Sequence, residues 1–278
     1  MKLCTYSTKR GPRLGIVKDG LIFDGGIDAS MTEVIAGWPA QRARLEAAAN
    51  GQGIPFTQAS LLAPVLRPGK IFAIGLNYAD HIAESKLGTP ENQVWFTKAV
   101  TAINGPYAPV QIPKVSAFVD YEVELVAVIG KGGRHISAKD AAEHIFGYCV
   151  GNDVTERAWQ HRTPQWSLGK SFDTHAPIGP WITTADEIGN VHGLDVSCSV
   201  NGEMRQSSNT RNLVFNVFDQ VAHLSEAMTL EPGDLIFTGT PGGIGAAMDP
   251  RRFLKAGDVV RCEITGLGFI ENRFVQEA

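Results

Sequence analysis

Residues 125–129, Leu-Val-Ala-Val-Ile, form a short apolar run rich in β-branched side chains that stops at Gly130. A run of that length and composition reads as a strand. Segments of the same kind recur at 70–76, Val94–Thr97, 146–153, 177–183, 196–200, 204–206, 234–238, Val259–Ile264 and 269–274. They are short and irregularly spaced, and helical stretches seldom alternate with them. The clearest amphipathic helix is at 216–228, with shorter helical candidates at 79–87 and 138–144. Asn201-Gly202, between two strand candidates, is a hairpin signal. The 30 glycines and 15 prolines argue against a helical bundle. The pattern predicts an α+β chain built on a mixed sheet, not a doubly wound one.

The first 65 residues have a different texture. Residues 14–18 and Leu21–Asp24 flank Asp19-Gly20, a second hairpin signal, and 31–50 have helical spacing with alanine filling. Residues 51–55 break that helix, and 61–68 run on as an extended linker with prolines at 64 and 68. This predicts a small N-terminal α+β domain, 1–65, followed by a larger domain, 66–278, a division that the length allows. A formal net charge of −4 gives no electrostatic case for nucleic acid or an anionic membrane. No apolar run reaches the roughly 18 residues of a membrane helix. Cys4, Cys149, Cys198 and Cys262 are scattered, without a CxxC pair, as reduced thiols are. The N-terminus lacks the apolar core of a secretory signal. These features lead to the expectation of a cytoplasmic protein with a small-molecule partner, no nucleic acid and no membrane.

The chemistry concentrates just ahead of the first strand, in Asp120-Tyr121-Glu122-Val123-Glu124. Side chains alternate along a strand, so Glu122 and Glu124 point the same way, with Cα atoms about 6–7 Å apart. Two carboxylates that close repel unless solvent or a cation compensates. A hard divalent ion with oxygen ligands does so; otherwise the pair is a hydrated strand end. Asp153 lies just past another apolar strand, in Gly151-Asn152-Asp153, where it is either a functional carboxylate or a turn-capping residue. Convergence of the three would make an oxygen site with open positions.

Three further constellations follow. His81 and Glu84 stand three apart on a predicted helix and share a face, which suits a general base that activates water, or simply a polar helix face. Lys170 lies in Gly169-Lys170-Ser171, without the upstream glycine pattern of a P-loop, and is either a surface lysine or a stabiliser of developing negative charge. Residues 237–245 make a glycine-rich turn after a strand. Met248 occupies the third glycine position of a dinucleotide fingerprint, so the turn is read as presenting N–H groups and the Thr240 hydroxyl to a carboxylate.

Gly75-Leu76-Asn77-Tyr78-Ala79-Asp80-His81, Asp120-Tyr121-Glu122-Val123-Glu124, Gly151-Asn152-Asp153-Val154-Thr155, Gly169-Lys170-Ser171-Phe172-Asp173 and Thr238-Gly239-Thr240-Pro241 occur in this order. With this order and spacing, the chain resembles the fumarylacetoacetate hydrolase family from about Leu66 to the C-terminus. The resemblance implies a mixed β-roll or barrel, in a homodimer, with the small N-terminal domain of longer members. It implies one Mg²⁺ or Mn²⁺ per subunit on Glu122, Glu124 and Asp153. His81 and Glu84 would be a water-activating dyad on a lid spanning 85–93, and Lys170 would stabilise an enolate. Arg157, Gln160, Lys98 and Thr240 fall where relatives place substrate-binding or supporting contacts.

The implied reaction is hydrolysis of the C3–C4 bond of a 2,4-diketo acid of acylpyruvate type. Water attacks C4, and pyruvate leaves as its enolate beside a carboxylic acid, in catabolism of aromatic or sugar-derived compounds. The alternative reading keeps the site without C–C hydrolysis, as an isomerase of hydroxylated dienedioates or an oxaloacetate decarboxylase. A non-catalytic module would keep the carboxylates and have no use for His81, Glu84 and Lys170.

Overall fold

The strand Val123–Ile129 is the centre of the molecule, and all seven of its residues are buried. Its alternation sorts the side chains between two cores. Val123, Leu125, Ala127 and Ile129 pack with Val196, Cys198, Val260 and Cys262 of a second sheet. Val126 and Val128 pack with Leu3, Phe23, Ile35 and Leu45 of the N-terminal unit. A strand covered on both faces needs apolar residues at every position, which is why the sequence shows a run and not an alternation. Truncating Leu125 to alanine here costs about 2–5 kcal/mol. The computed structural model describes residues 1–85, 88 and 90–278.

Val123–Ile129 pairs antiparallel with Ile145–Asn152 on one side and Leu235–Phe237 on the other. The sheet continues from Ile145–Asn152 through Ala176–Thr184 to Lys2–Thr8. On the other side, Leu235–Phe237 pairs parallel with Ile71–Gly75, which pairs antiparallel with Val94–Thr97. The result is one large mixed sheet, with a five-stranded sheet built on Asp195–Val200, Glu203–Asn209, Val259–Ile264 and Gly268–Gln276 against it. The fold is the expected α+β roll; among the described residues the large sheet is open at both ends and no barrel closes.

Two local expectations need correction. The helix expected at 31–50 is two helices, Met31–Ala36 and Trp38–Ala48. Gly37 caps the first, and Pro39, which has no N–H to give, sits in the first turn of the second. Of the helix expected at 138–144, only the single 3₁₀ turn Ala141–His144 forms. Both hairpin signals hold: Asp19, Gly20, Asn201 and Gly202 all have positive φ, as a two-residue turn of this hand requires. The linker segment contributes Leu61–Leu62, which pairs with Thr5 and Tyr6. Lys2 and Leu3 pair with Thr183 and Ile182, so the ladder of the main sheet includes strands from before residue 65. The helix at 79–87 is present as Ala79–Ser85; residues 86 and 87, and residue 89 of the expected lid, lie outside the described residues. No helix among the described residues is long and apolar enough to cross a membrane. All four cysteines are free and buried.

Candidate active site

Strand register builds the carboxylate cluster. Val123 pairs with Asn152, so Glu122 and Asp153 leave adjacent strands at the same edge. The backbone locks them there: Asp153 N–H donates to the Glu122 carbonyl at 2.8 Å, and Glu122 N–H donates to Asn152 Oδ1 at 2.9 Å. One oxygen from each of Glu122, Glu124 and Asp153 lies within 4.8 Å of the others, and all three residues are buried. This all-oxygen set forms a divalent-metal site of the hard-cation type.

The charges around it explain the fit. Lys170 Nζ donates to Glu122 Oε2 at 2.7 Å and Asp153 Oδ2 at 2.6 Å. Lys98 Nζ donates to Asp153 Oδ1 at 2.6 Å, and Arg157 Nη2 lies 2.7 Å from Glu122 Oε1. Burial pushes the Glu122 carboxyl up, but Lys170 and Arg157 outweigh it and hold it down to about 2. Burial likewise works against the Lys170 ammonium, and Asp153 and Glu122 hold it above its ordinary range. Glu124 is the exception. Burial, then repulsion from Asp153 and Glu122, raises it well above an ordinary carboxyl. Glu124 is therefore the carboxyl of the cluster that resists ionisation, and a cation among the three oxygens favours its charged form.

The glycine-rich turn is used differently from the expectation. Its N–H groups serve the protein's own carboxylates: Gly239 donates to Glu124 at 2.7 Å, Gly243 to Glu84 at 3.0 Å, and Gly245 and Ala246 to Asp120 at 2.8 and 2.9 Å. The Thr240 hydroxyl is taken up as well, donating to the Val123 carbonyl and accepting from Gln206, both at 2.9 Å. Gly239 and Gly243 have positive φ, and a Cβ on Gly243 would meet the Arg205 carbonyl at 2.0 Å, so both turn positions require glycine.

A cavity of about 170 Å³ opens onto Glu122 and Glu124. His81, Arg157, Gln160, Lys170 and Thr240 line it; Lys98 does not. Lys98 is buried behind Asp153, also donating to the Lys170 and Val154 carbonyls, so it supports a metal ligand and does not face substrate. His81 and Glu84 share a helix face, but His81 Nδ1 is 3.7 Å from Glu84 Oε2, beyond hydrogen-bond reach. That nitrogen is buried without a hydrogen-bond partner among the described residues.

Three contributors escaped the sequence reading. Asp120 accepts from Arg157 Nε and Nη2 at 3.0 and 2.9 Å as well as from the turn, tying Arg157 to residues 245–246. Its place in the Asp-Tyr-Glu-x-Glu stretch was the available signal. Phe96 and Trp166 wall the cavity from remote segments, and only the fold brings them there. Gly75 makes room for Trp166, whose ring atom would lie 2.3 Å from a Cβ at that position.

Residues 70–275 match the family described as fumarylacetoacetate (FAA) hydrolase, C-terminal. The chain is 43% identical over 276 residues to oxaloacetate tautomerase FAHD2A, mitochondrial, of Homo sapiens, covering 95% of this chain and 88% of that protein. It is 48% identical over 223 residues to oxaloacetate tautomerase Fahd2a, mitochondrial, of Rattus norvegicus, covering 80% and 71%. Maleylpyruvate hydrolase from Sphingobium sp. SYK-6, solved with manganese(II) and pyruvate, superposes with a TM-score of 0.86 at 35% identity, covering 100% of both chains. The mitochondrial names of these relatives overturn the cytoplasmic expectation. That expectation rested on the lack of an apolar secretory core, which does not bear on organelle import, since import leaders are amphipathic and basic.

Proposed function

The chain belongs to the fumarylacetoacetate hydrolase family, and on that premise we propose that it is a divalent-metal-dependent isomerase interconverting the keto and enol forms of a small 2-keto acid of the oxaloacetate type. What carries this reading over hydrolysis is the identity of 43% and 48% to relatives named oxaloacetate tautomerases, and the 3.7 Å between His81 and Glu84 is compatible with it. Hydrolysis asks for a base that is itself oriented by a partner so as to activate water. Tautomerisation asks only for one base beside the carbon acid, and His81 lines the cavity.

A divalent ion on Glu122, Glu124 and Asp153 supplies Lewis-acid polarisation of the keto acid's oxygens. His81 takes the proton from C3. The C–H electron pair becomes the C2–C3 double bond, and the carbonyl pair moves to oxygen, which accepts a proton to give the enol. Lys170 spends two of its three donors on Glu122 and Asp153, leaving one for the oxygen where charge develops. Gln160 Oε1 accepts from Arg157 Nη1 at 3.0 Å, which leaves its amide nitrogen free for substrate. Phe96, Trp166 and Ile244 limit water.

The test follows enol absorbance of oxaloacetate, and pyruvate release from 2,4-diketo acids, each with Mg²⁺ or Mn²⁺ and again after EDTA. EDTA-sensitive tautomerisation without pyruvate release is the expected result. Pyruvate release with no acceleration of tautomerisation would overturn it in favour of C3–C4 hydrolysis, the second reading, which rests on the shared helix face of His81 and Glu84. The homodimer implied by the family resemblance is part of the proposal, and light scattering on the purified chain checks it.

A further inference from the structure

The cavity has a buried, charged floor and an exposed rim. Glu122, Glu124, Lys170, Arg157 and Gln160 are all buried, whereas His161, the next residue after Gln160, lines the same cavity and is exposed. Outside the groups already given a role, His161 is the one ionisable side chain in the lining; Ile74, Leu76, Phe96, Trp166 and Ile244 make the wall largely apolar. The short helix Arg157–Gln160 fixes its place, since His161 N–H donates to the Arg157 carbonyl at 3.1 Å. The imidazole itself makes no hydrogen bond or ion pair among the described residues.

We propose that His161 reads the distal carboxylate of the substrate, and so selects 2-keto dicarboxylic acids over 2-keto acids that end in an alkyl group. The inference rests on the proposed 2-keto acid chemistry. A ligand whose 1-carboxylate and 2-keto group occupy the floor must direct its far end to the rim. An alkyl end finds apolar walls there and leaves His161 unused. A carboxylate end finds a ring N–H donor in a positive field. Partial burial, and then the nearby charges of Arg157, Arg251 and Lys170, hold the imidazole below its ordinary range. Arg251 makes no ion pair among the described residues. An anion at this place relieves the repulsion among the cations and gains a charge-assisted hydrogen bond.

The discriminating pair is oxaloacetate and 2-oxobutyrate, which differ by a carboxylate in place of a methyl group. Binding of each to the Mg²⁺-loaded protein is measured by calorimetry for wild type, His161→Phe and His161→Lys. His161→Phe keeps an aromatic ring and is expected to weaken oxaloacetate by about tenfold, while 2-oxobutyrate stays within about twofold. His161→Lys restores a cation and is expected to recover oxaloacetate binding. Equal weakening of both ligands by His161→Phe, or unchanged oxaloacetate binding, would overturn the assignment. Because binding is read without turnover, a wild type that binds selectively yet does not tautomerise oxaloacetate would sink the proposed reaction and leave His161 in place.

Discussion

The two sides of the cavity are built to different standards. On the carboxylate side, Asp153 is held by Lys98, Lys170 and the Glu122 backbone, and Glu122 by Lys170, Arg157 and Asn152. All of it is buried at the ends of paired strands. On the other side, the short helix Ala79–Ser85 holds to the body by a few polar contacts. Ser208 Oγ donates to Asp80 at 2.6 Å, and Gly243 N–H to Glu84 at 3.0 Å. The contrast separates two tasks. The wall that must present oxygens at fixed spacing is preorganised by the sheet. His81 stands on an element that, among the described residues, is tied down by fewer polar contacts than the carboxylates are.

If that division is right, damage to the rigid side abolishes activity through the metal, and damage to the helix abolishes it without touching the metal. Glu124→Gln removes the one carboxyl of the three that a cation must bring to ionise. It is expected to lower activity on the order of a thousandfold or more and to eliminate Mg²⁺ binding in calorimetry. In the wild type, Mg²⁺ affinity should rise with pH, because the raised Glu124 carboxyl must lose its proton to serve as ligand. Retained Mg²⁺ binding in Glu124→Gln would break the assignment.

His81→Ala is the counterpart, with an expected loss of about 10²–10⁴-fold in kcat and Mg²⁺ binding unchanged. Glu84→Gln sharpens the choice of reaction. At 3.7 Å it contributes little to a tautomerase base, and a loss within about tenfold is expected. A loss matching that of His81→Ala would show that the pair acts as a unit, and would favour hydrolysis.

The legibility of the site follows the same line. Glu122, Glu124 and Asp153 could be read from sequence because their convergence needs only period-two alternation and a carboxylate placed one step past a strand. The apolar run at 125–129 likewise announced a strand. That Lys2 pairs with Thr183 was not legible, since nothing local in either segment encodes a partner 181 positions away. Lys98 shows the limit for side chains. Its motif position left a substrate contact and a supporting contact open, and its ammonium turns inward, where Asp153 and two carbonyls supply its acceptors behind the cavity wall. The glycine turn was recognised as a donor of N–H groups, whereas the identity of its acceptors depended on where Asp120, Glu84 and Glu124 lie in space.

Asp120 tests whether the rigid side is rigid because it is charged. It is the acceptor that joins Arg157 to the turn at 245–246, fully buried. Asp120→Asn keeps the shape but turns an amide N–H toward donors and leaves Arg157 with Glu122 as its one carboxylate partner among the described residues. Breaking one partner of a buried pair costs about 3–5 kcal/mol, read by denaturant unfolding. The helix side should be spared, so kcat in folded enzyme should fall less than in His81→Ala. A variant of wild-type stability would mean the turn is held by other contacts.

The smallest effect probes the rigid side from behind. His175 is fully buried, and its Nε2 lies 2.8 Å from the Gln111 carbonyl, which can only accept, so Nε2 carries the proton. Nδ1 has no partner. Burial holds the imidazole down to about 3, from an ordinary value of 6.5. Between those values the unfolded chain takes up a proton that the folded state refuses. Its contribution to stability is therefore intact above 6.5 and lost as pH falls toward 3, at about 1.4 kcal/mol per pH unit. His175→Gln can keep the donor to Gln111 and cannot titrate. Other groups titrate in the same range, so the informative quantity is the stability difference between wild type and variant at each pH. Urea unfolding should show the wild type losing about 2 kcal/mol relative to His175→Gln between pH 6.5 and 5. A constant difference would mean that His175 accepts its proton in the folded state, and that the region behind Lys98 and Asp153 is open to water.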